Sequence, residues 1–228
     1  MESPWWQMRT LVNLLGIVFA GGVWLWLLNQ PLDPTVSIFL AIGGAFGILP
    51  LVWLGRRLLD AQPAIDRALW VTTFVHYGVF TLLGAAIIEA TQVGMAAPGW
   101  MIPLPPEVGL ALMIVSGVLA LLAMANLALR GLGAPFAIAL SRELAMDWLY
   151  AWTRNPMVLS ALAFLIAVGL WLRSTLFVLW VIAIVVPAIL VFLKVYEERE
   201  LEIRFGEAYR AYREKTPMLW PRRPEKRD

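Results

Sequence analysis

The 228-residue chain has no cysteine and a single histidine, His76. The missing cysteine excludes disulfides, thiolate metal sites and a thiol nucleophile, and leaves the compartment open. Charge is sparse too: Asp, Glu, Lys and Arg make up 15% of the residues, against roughly a quarter in a soluble domain. The net charge of +2 gives no reason to expect a nucleic-acid partner, because membrane topology accounts for the basic residues. Internal repeats and low-complexity linkers are also lacking.

What is present is apolar sequence, 61% of the chain, gathered into long runs. Six matter: Leu11 to Leu28, Thr35 to Leu54, Leu69 to Ala90, Gly109 to Leu129, Met157 to Leu172 and Thr175 to Phe192. Runs of this length have bilayer as their solvent, and the twelve tryptophans suit the membrane interface. The expected fold is all-α, a polytopic membrane bundle of about six transmembrane helices with a cytoplasmic amphipathic C-terminal helix. The fifth run is short for a span, so a tight hairpin through "LRST" is expected to join the last two. The first run is read as a retained helix, since Glu2 precedes it and "LLNQPLDP" offers no small-residue cleavage site. We divide the chain into an N-terminal three-helix region, 1–108, and a membrane core, 109–228.

Charge sets an orientation. With both termini cytoplasmic, all of the 18 Lys and Arg except Arg173 fall on the cytoplasmic side, as the positive-inside rule requires. Non-cytoplasmic connections such as "NQPLDP" are turn-rich and nearly free of ionisable groups. The chemistry therefore belongs to the other face, in "RGLGAPFAIALSRELAMDWLYAWTRNP" and the C-terminal tail.

The tail leaves the last run on a doubled acid, Glu197 and Glu198. Glu198, Leu201, Phe205, Tyr209 and Tyr212 recur at helical spacing and share one face, read as turned inward. Glu200 and Arg204, four apart, are read as an exposed pair on the outer surface. Gly206 is costly in a helix and is read as a point of tight packing beside Phe205.

Three blocks in order, "GLGAP" at Gly131 to Pro135, "YAWTRNPM" at Tyr150 to Met157 and "EERELEIRFGEAYRAYREKTPMLWP" at Glu197 to Pro221, resemble the integral-membrane methyltransferases. That family includes isoprenylcysteine carboxyl methyltransferases and phospholipid (phosphatidylethanolamine) N-methyltransferases. The resemblance implies S-adenosylmethionine as cofactor, bound at the cytoplasmic ends of the last helices, and a lipophilic acceptor arriving from the bilayer. It assigns Arg154, Asn155 and Pro156 to the family's arginine/histidine-proline motif. Val158 and Ser160 stand where the family has tyrosine and glycine, and are expected to shape an acceptor passage between the final helix pair and the fourth run.

The chemistry needs no metal. Transfer of a methyl group from a sulfonium is an in-line displacement in which the protein aligns donor and nucleophile and excludes water. A cofactor with an ammonium group needs carboxylates, which Glu197 and Glu198 supply, and Arg154 can meet its carboxylate. The catalytic candidates are Arg154 and Glu198. The cofactor-binding set is Gly131, Gly133, Tyr150, Arg154, Asn155, Pro156, Glu197, Glu198, Tyr209 and Tyr212. Gly131 and Gly133 allow close approach to adenosine, or equally form a helix C-cap with a turn at Pro135, which is the plainer reading. Partners are a lipophilic small-molecule or lipid-linked acceptor and membrane lipids, with the oligomeric state open. Two alternatives stay open: a membrane reductase of the sterol reductase type using NADPH, and a catalytically silent subunit on the same fold.

His76 and Glu89 are ionisable residues inside the third run. They are thirteen positions apart, about 140° around a helix, so they do not share a face. His76 is read as a neutral imidazole bonded to a neighbouring helix. Gly43, Gly44, Gly47 and Pro50 in the second run read as close helix packing and a kink.

Overall fold

The computed structural model describes residues 4–30, 32–129 and 143–223. Within them the chain is helical: α1 (Pro4–Asn29), α2 (Pro34–Phe46), α3 (Ile48–Ala61), α4 (Ile65–Met95), α5 (Pro106–Leu129), α6 (Leu149–Trp152), α7 (Pro156–Trp171), α8 (Thr175–Trp180), α9 (Val186–Val191) and α10 (Glu198–Lys215). No strand occurs among the described residues, and the all-α polytopic bundle expected from the sequence is what forms. Five helical stretches are long and apolar enough to cross a membrane: Thr10–Asn29, Pro34–Ala61, Ile65–Met95, Pro106–Leu127 and Thr175–Lys215. The sixth apolar helix, Pro156–Trp171, is shorter, and the turn at Leu172 to Ser174, with Arg173 at φ 56°, joins it directly to α8. The expected tight hairpin is therefore present.

The second apolar run breaks where its glycines and proline predict. α2 ends at Phe46, Gly47 donates its N–H to the Gly43 carbonyl at 2.7 Å, and α3 begins at Ile48. A Cβ on Gly44 would lie 2.9 Å from the Leu82 carbonyl oxygen, so only glycine lets α2 approach α4 this closely.

α4 is the hub. It packs on α1, α2 and α3 and reaches the C-terminal helices, while α5 lies along α7. The core runs through Ile48, Val52 and Leu59 of α3, Val75 and Ala86 of α4, and Phe177, Val181, Val185, Leu193 and Tyr196 of the C-terminal helices. α1 and α5 turn residues such as Phe19, Leu25, Ile114 and Leu121 outward, the pattern of helices bordering lipid.

From Thr175 to Lys215 the chain is a helical rod of 41 residues kinked at Gly206, and at 1.5 Å per residue the part before the kink alone exceeds the roughly 30 Å hydrocarbon thickness of a bilayer. Its apolar residues end near Leu193, so α10 projects beyond the hydrocarbon. Two π-helical segments, Val181–Val185 and Phe192–Glu197, interrupt the rod. Such wide turns change the angular phase of whatever follows and recur at functional sites. The second ends on Glu197 and so sets how the doubled acid is presented.

Candidate functional site

α7 starts with Pro156, which has no N–H to lose at the first helical position, and the preceding Thr153 to Asn155 form an extended approach. The C-terminal strap holds that approach from outside. The Arg154 N–H donates to the Pro217 carbonyl at 2.9 Å. The Thr153 hydroxyl and Asn155 Nδ2 both donate to the Met218 carbonyl, at 3.1 and 3.0 Å. Arg222 N–H donates to the Trp152 carbonyl at 3.0 Å. The "TPMLWP" stretch thus fixes the motif's backbone, which accounts physically for pairing these two blocks.

With its backbone held, the Arg154 side chain turns inward. Its two terminal nitrogens reach Tyr209 Oη and Glu198 Oε1, each at 3.0 Å, with both charged side chains nearly excluded from solvent. Lys194 at 3.2 Å and Arg213 at 3.8 Å also face Glu198. Tyr212 donates to the Tyr150 carbonyl at 2.6 Å, tying α10 to α6. Burial pushes the phenols of Tyr150, Tyr209 and Tyr212 above their ordinary range, so they serve as neutral hydrogen-bonding walls.

These residues enclose a cleft of about 140 Å³ whose lining includes Tyr150, Arg154, Asn155, Glu197, Glu198 and Tyr209, with Tyr212 beside them. Seven of the ten expected cofactor residues therefore meet in one place. Pro156 is buried behind them as the helix start. Gly131 and Gly133 lie outside the described residues. Asn155 spends its amide on Met218, so its part in the cleft is positional. Leu127, Leu144, Ala145, Met157, Val158, Leu193 and Leu201 complete the walls, and their apolar side chains gave no individual signal in the sequence.

Two groups in the cleft have spare capacity. Arg154 Nε is buried and has no hydrogen-bond partner among the described residues. Glu197 forms no hydrogen bond or ion pair there, and burial, reinforced by the charges of Glu200 and Glu198, pushes its carboxyl up to about 7. An unpaired guanidinium N–H and an unpaired carboxylate fit a ligand carrying both a carboxylate and an ammonium group, so these residues suit the amino-acid part of S-adenosylmethionine.

A second cavity, of about 190 Å³ and mostly apolar, lies between α4, α7 and the rod. Val79, Phe80, Leu83, Leu162, Val185 and Ile189 form much of its wall, and His76 is part of it. It shares Met157, Val158 and Glu197 with the cleft. This apolar space lies beside the third run, whereas the passage expected from the sequence lies beside the fourth. α5 packs along α7 and contributes no residue to this cavity, whereas α4 stands off from α7 and leaves room. Val158 borders the cavity as expected. Ser160 borders neither space, because its hydroxyl is buried and donates to the Pro156 carbonyl at 2.8 Å.

Three further expectations are corrected. Glu200 and Arg204 are buried, not exposed, and form a 2.7 Å ion pair; α10 packs against α4 on one side while lining the cleft on another, so it is covered on both. Phe205 is half-buried, with the Arg204 guanidinium 4.8 Å from its ring centre, and is not part of the cleft. Gly206 does not mark tight packing: nothing lies within 4 Å of a Cβ placed there, but its φ of 54° is a conformation that side chains other than glycine strain to adopt. The bend there lets Tyr209 and Tyr212 return to the cleft.

No curated protein and no solved structure matches the chain. Residues 106–208 match the family model of the phospholipid methyltransferases, a stretch that holds Tyr150, Arg154, Asn155, Pro156, Glu197 and Glu198. The matched stretch takes in the first two of the three sequence blocks and the beginning of the third, Glu197 to Ala208, so over these residues the chain is similar to the phospholipid methyltransferases.

Proposed function

We propose that the protein transfers a methyl group from S-adenosylmethionine to a lipophilic acceptor that reaches the site sideways from the bilayer. The observation that carries this reading is the junction of two spaces of opposite character: the charged cleft and the apolar cavity meet at Met157, Val158 and Glu197. A polar donor and a greasy acceptor would come together there without either leaving its own solvent.

When bound, the cofactor supplies a methyl group on a sulfonium centre. Arg154 would hold its carboxylate through Nε, and Glu197 its ammonium group, each by a charge-assisted hydrogen bond. Glu198 keeps the guanidinium in place, and Tyr209 braces it from the other side. α10 and the strap over Thr153 to Asn155 limit water, so the protein's contribution is alignment and exclusion. The charge asymmetry of the loops supports placing both termini and the cleft on the cytoplasmic side.

Equilibrium binding to the purified protein tests the reading: S-adenosylmethionine is expected to bind and NADPH not to. Binding of NADPH alone would favour the reductase alternative, and binding of neither would favour the silent subunit. Reporter fusions after Asp33 and at the C-terminus test the orientation, with the first expected outside and the second inside.

A further inference from the structure

His76 belongs to α4, outside the matched residues 106–208, and nothing in the cleft uses it. Its Nδ1 lies 2.9 Å from the Thr72 carbonyl oxygen. A carbonyl can only accept, so Nδ1 carries the proton, and in the neutral ring Nε2 keeps its lone pair. The bond runs to the residue's own helix, not to a neighbouring one. The neighbouring rod instead packs rings against it: Phe192 edge-on at 5.4 Å and Tyr196 at 6.5 Å. Tyr196 Oη is in turn 2.9 Å from the Thr72 hydroxyl. The ring is thereby locked in tautomer and in orientation.

The ring borders the apolar cavity, whose lining among the described residues offers only two ionisable side chains, His76 and Glu197. Its depth is also suitable. Phe192, which touches His76, borders the cavity, while the next residue, Leu193, borders the cleft. His76 therefore stands near the inner end of the cleft, in the cavity that adjoins it.

We propose that His76 is a specificity-determining residue for the acceptor: its Nε2 accepts a hydrogen bond from an N–H or O–H on the polar end of a lipophilic molecule in this cavity. The assignment rests on the methyltransferase reading for its purpose and on geometry for its existence. An acceptor atom on the wall of an apolar cavity rewards a head group that donates a hydrogen bond. It penalises one that only accepts, because two lone pairs would then face each other without water. The N-terminal helices would in this way supply substrate choice to a donor site built from the C-terminal half.

His76 is the single histidine, so ¹⁵N-histidine labelling reports on this ring alone. The experiment uses the full chain in lipid nanodiscs, titrated with decan-1-ol and with methyl decanoate, two probes of equal chain length of which only the alcohol donates. The expected result is the Nδ1–H tautomer in the free protein, with a saturable upfield displacement of the Nε2 resonance by the alcohol and little displacement by the ester. Equal displacement by both probes, no displacement by either, or an Nε2–H tautomer would overturn the proposal. Calorimetry with S-adenosylmethionine separates the two readings. Cofactor binding with a silent imidazole removes this inference alone, and an imidazole that responds in a protein that binds no cofactor removes the methyltransferase reading while leaving a head-group site.

Discussion

The two sides of α10 carry the same functional groups in different circumstances. Toward α7, Glu198 meets Arg154 at the edge of a cleft, beside a guanidinium nitrogen and a carboxylate that lack partners. Toward α4, Glu200 meets Arg204 and the Thr72 hydroxyl, is 3% exposed, and borders neither cavity. The second pair is closed upon itself, while the first is left with unused hydrogen-bonding capacity. Two carboxylates two residues apart are thus placed differently, Glu200 in a pair away from both cavities and Glu198 at the edge of a cleft, and the difference arises from neighbours rather than from residue type.

The largest effect should come from the closed side. Glu200→Gln leaves the buried Arg204 guanidinium without its carboxylate, and breaking a buried pair by removing one partner costs about 3–5 kcal/mol. The expected outcome is a marked fall in thermal unfolding midpoint in detergent, with cofactor affinity of the remaining folded protein little changed. The double variant Glu200→Gln with Arg204→Met should recover much of the loss, since no uncompensated charge is then buried. A Glu200→Gln protein of normal stability and reduced affinity would erase the distinction between the two sides.

Glu198→Gln should do the reverse. The lost charge-assisted interaction is worth about 1.5–3 kcal/mol, corresponding to roughly a 10- to 100-fold weakening of S-adenosylmethionine binding. Calorimetry reads this directly, and the midpoint should fall less than in Glu200→Gln because the cleft admits water to Arg154. Equal effects on affinity from both variants would contradict the comparison.

Glu197 sharpens it through pH. Its carboxyl is pushed up to about 7 in the folded protein, mainly by burial, from an ordinary value of 4.5. Between these values the folded state holds a proton that the unfolded state has released, so stability is highest at low pH and falls as pH rises from about 4.5 through 7. Affinity for a cationic ligand should move the other way and rise over the same window, as the carboxylate becomes available. Glu197→Gln should flatten both profiles, measured as unfolding midpoint and as cofactor affinity between pH 5 and 8.

Much of this was legible in the sequence. Apolar runs located the helices because bilayer thickness fixes their length, and the glycine cluster marked the α2–α3 break because α4 admits no Cβ at Gly44. Of the cleft residues, Glu198, Tyr209 and Tyr212 were marked by helical spacing, whereas Tyr150, Arg154 and Asn155 were assigned through the resemblance of their block to the membrane methyltransferases. The exposure of Glu200 was misread for a physical reason: helical spacing sorts residues into faces but does not say how many faces are covered, and α10 is packed against α4 as well as lining the cleft. The apolar cavity beside the third run was not legible, because apolar residues facing a void and apolar residues facing lipid look alike. His76 stood out only as a lone imidazole, and its tautomer and neighbours required coordinates.

The smallest effect tests a third contact of the same helix. Asp60, at the end of α3, accepts from Arg56 at 2.6 Å and from Arg199 of α10 at 2.7 Å, with its side chain 43% exposed. This pair ties the N-terminal helices to α10 at its base. Exposed pairs contribute about 0–1 kcal/mol because water screens them and long side chains lose freedom in making them. Asp60→Asn should therefore lower the unfolding midpoint slightly, with the difference shrinking further in high salt, and leave cofactor affinity unchanged. If α10 depended on this contact for its position over the cleft, affinity would fall together with Asp60. A loss of affinity approaching that of Glu198→Gln would mean that the two sides of α10 are not independent, and that the N-terminal helices set the geometry of the donor site as well as that of the acceptor cavity.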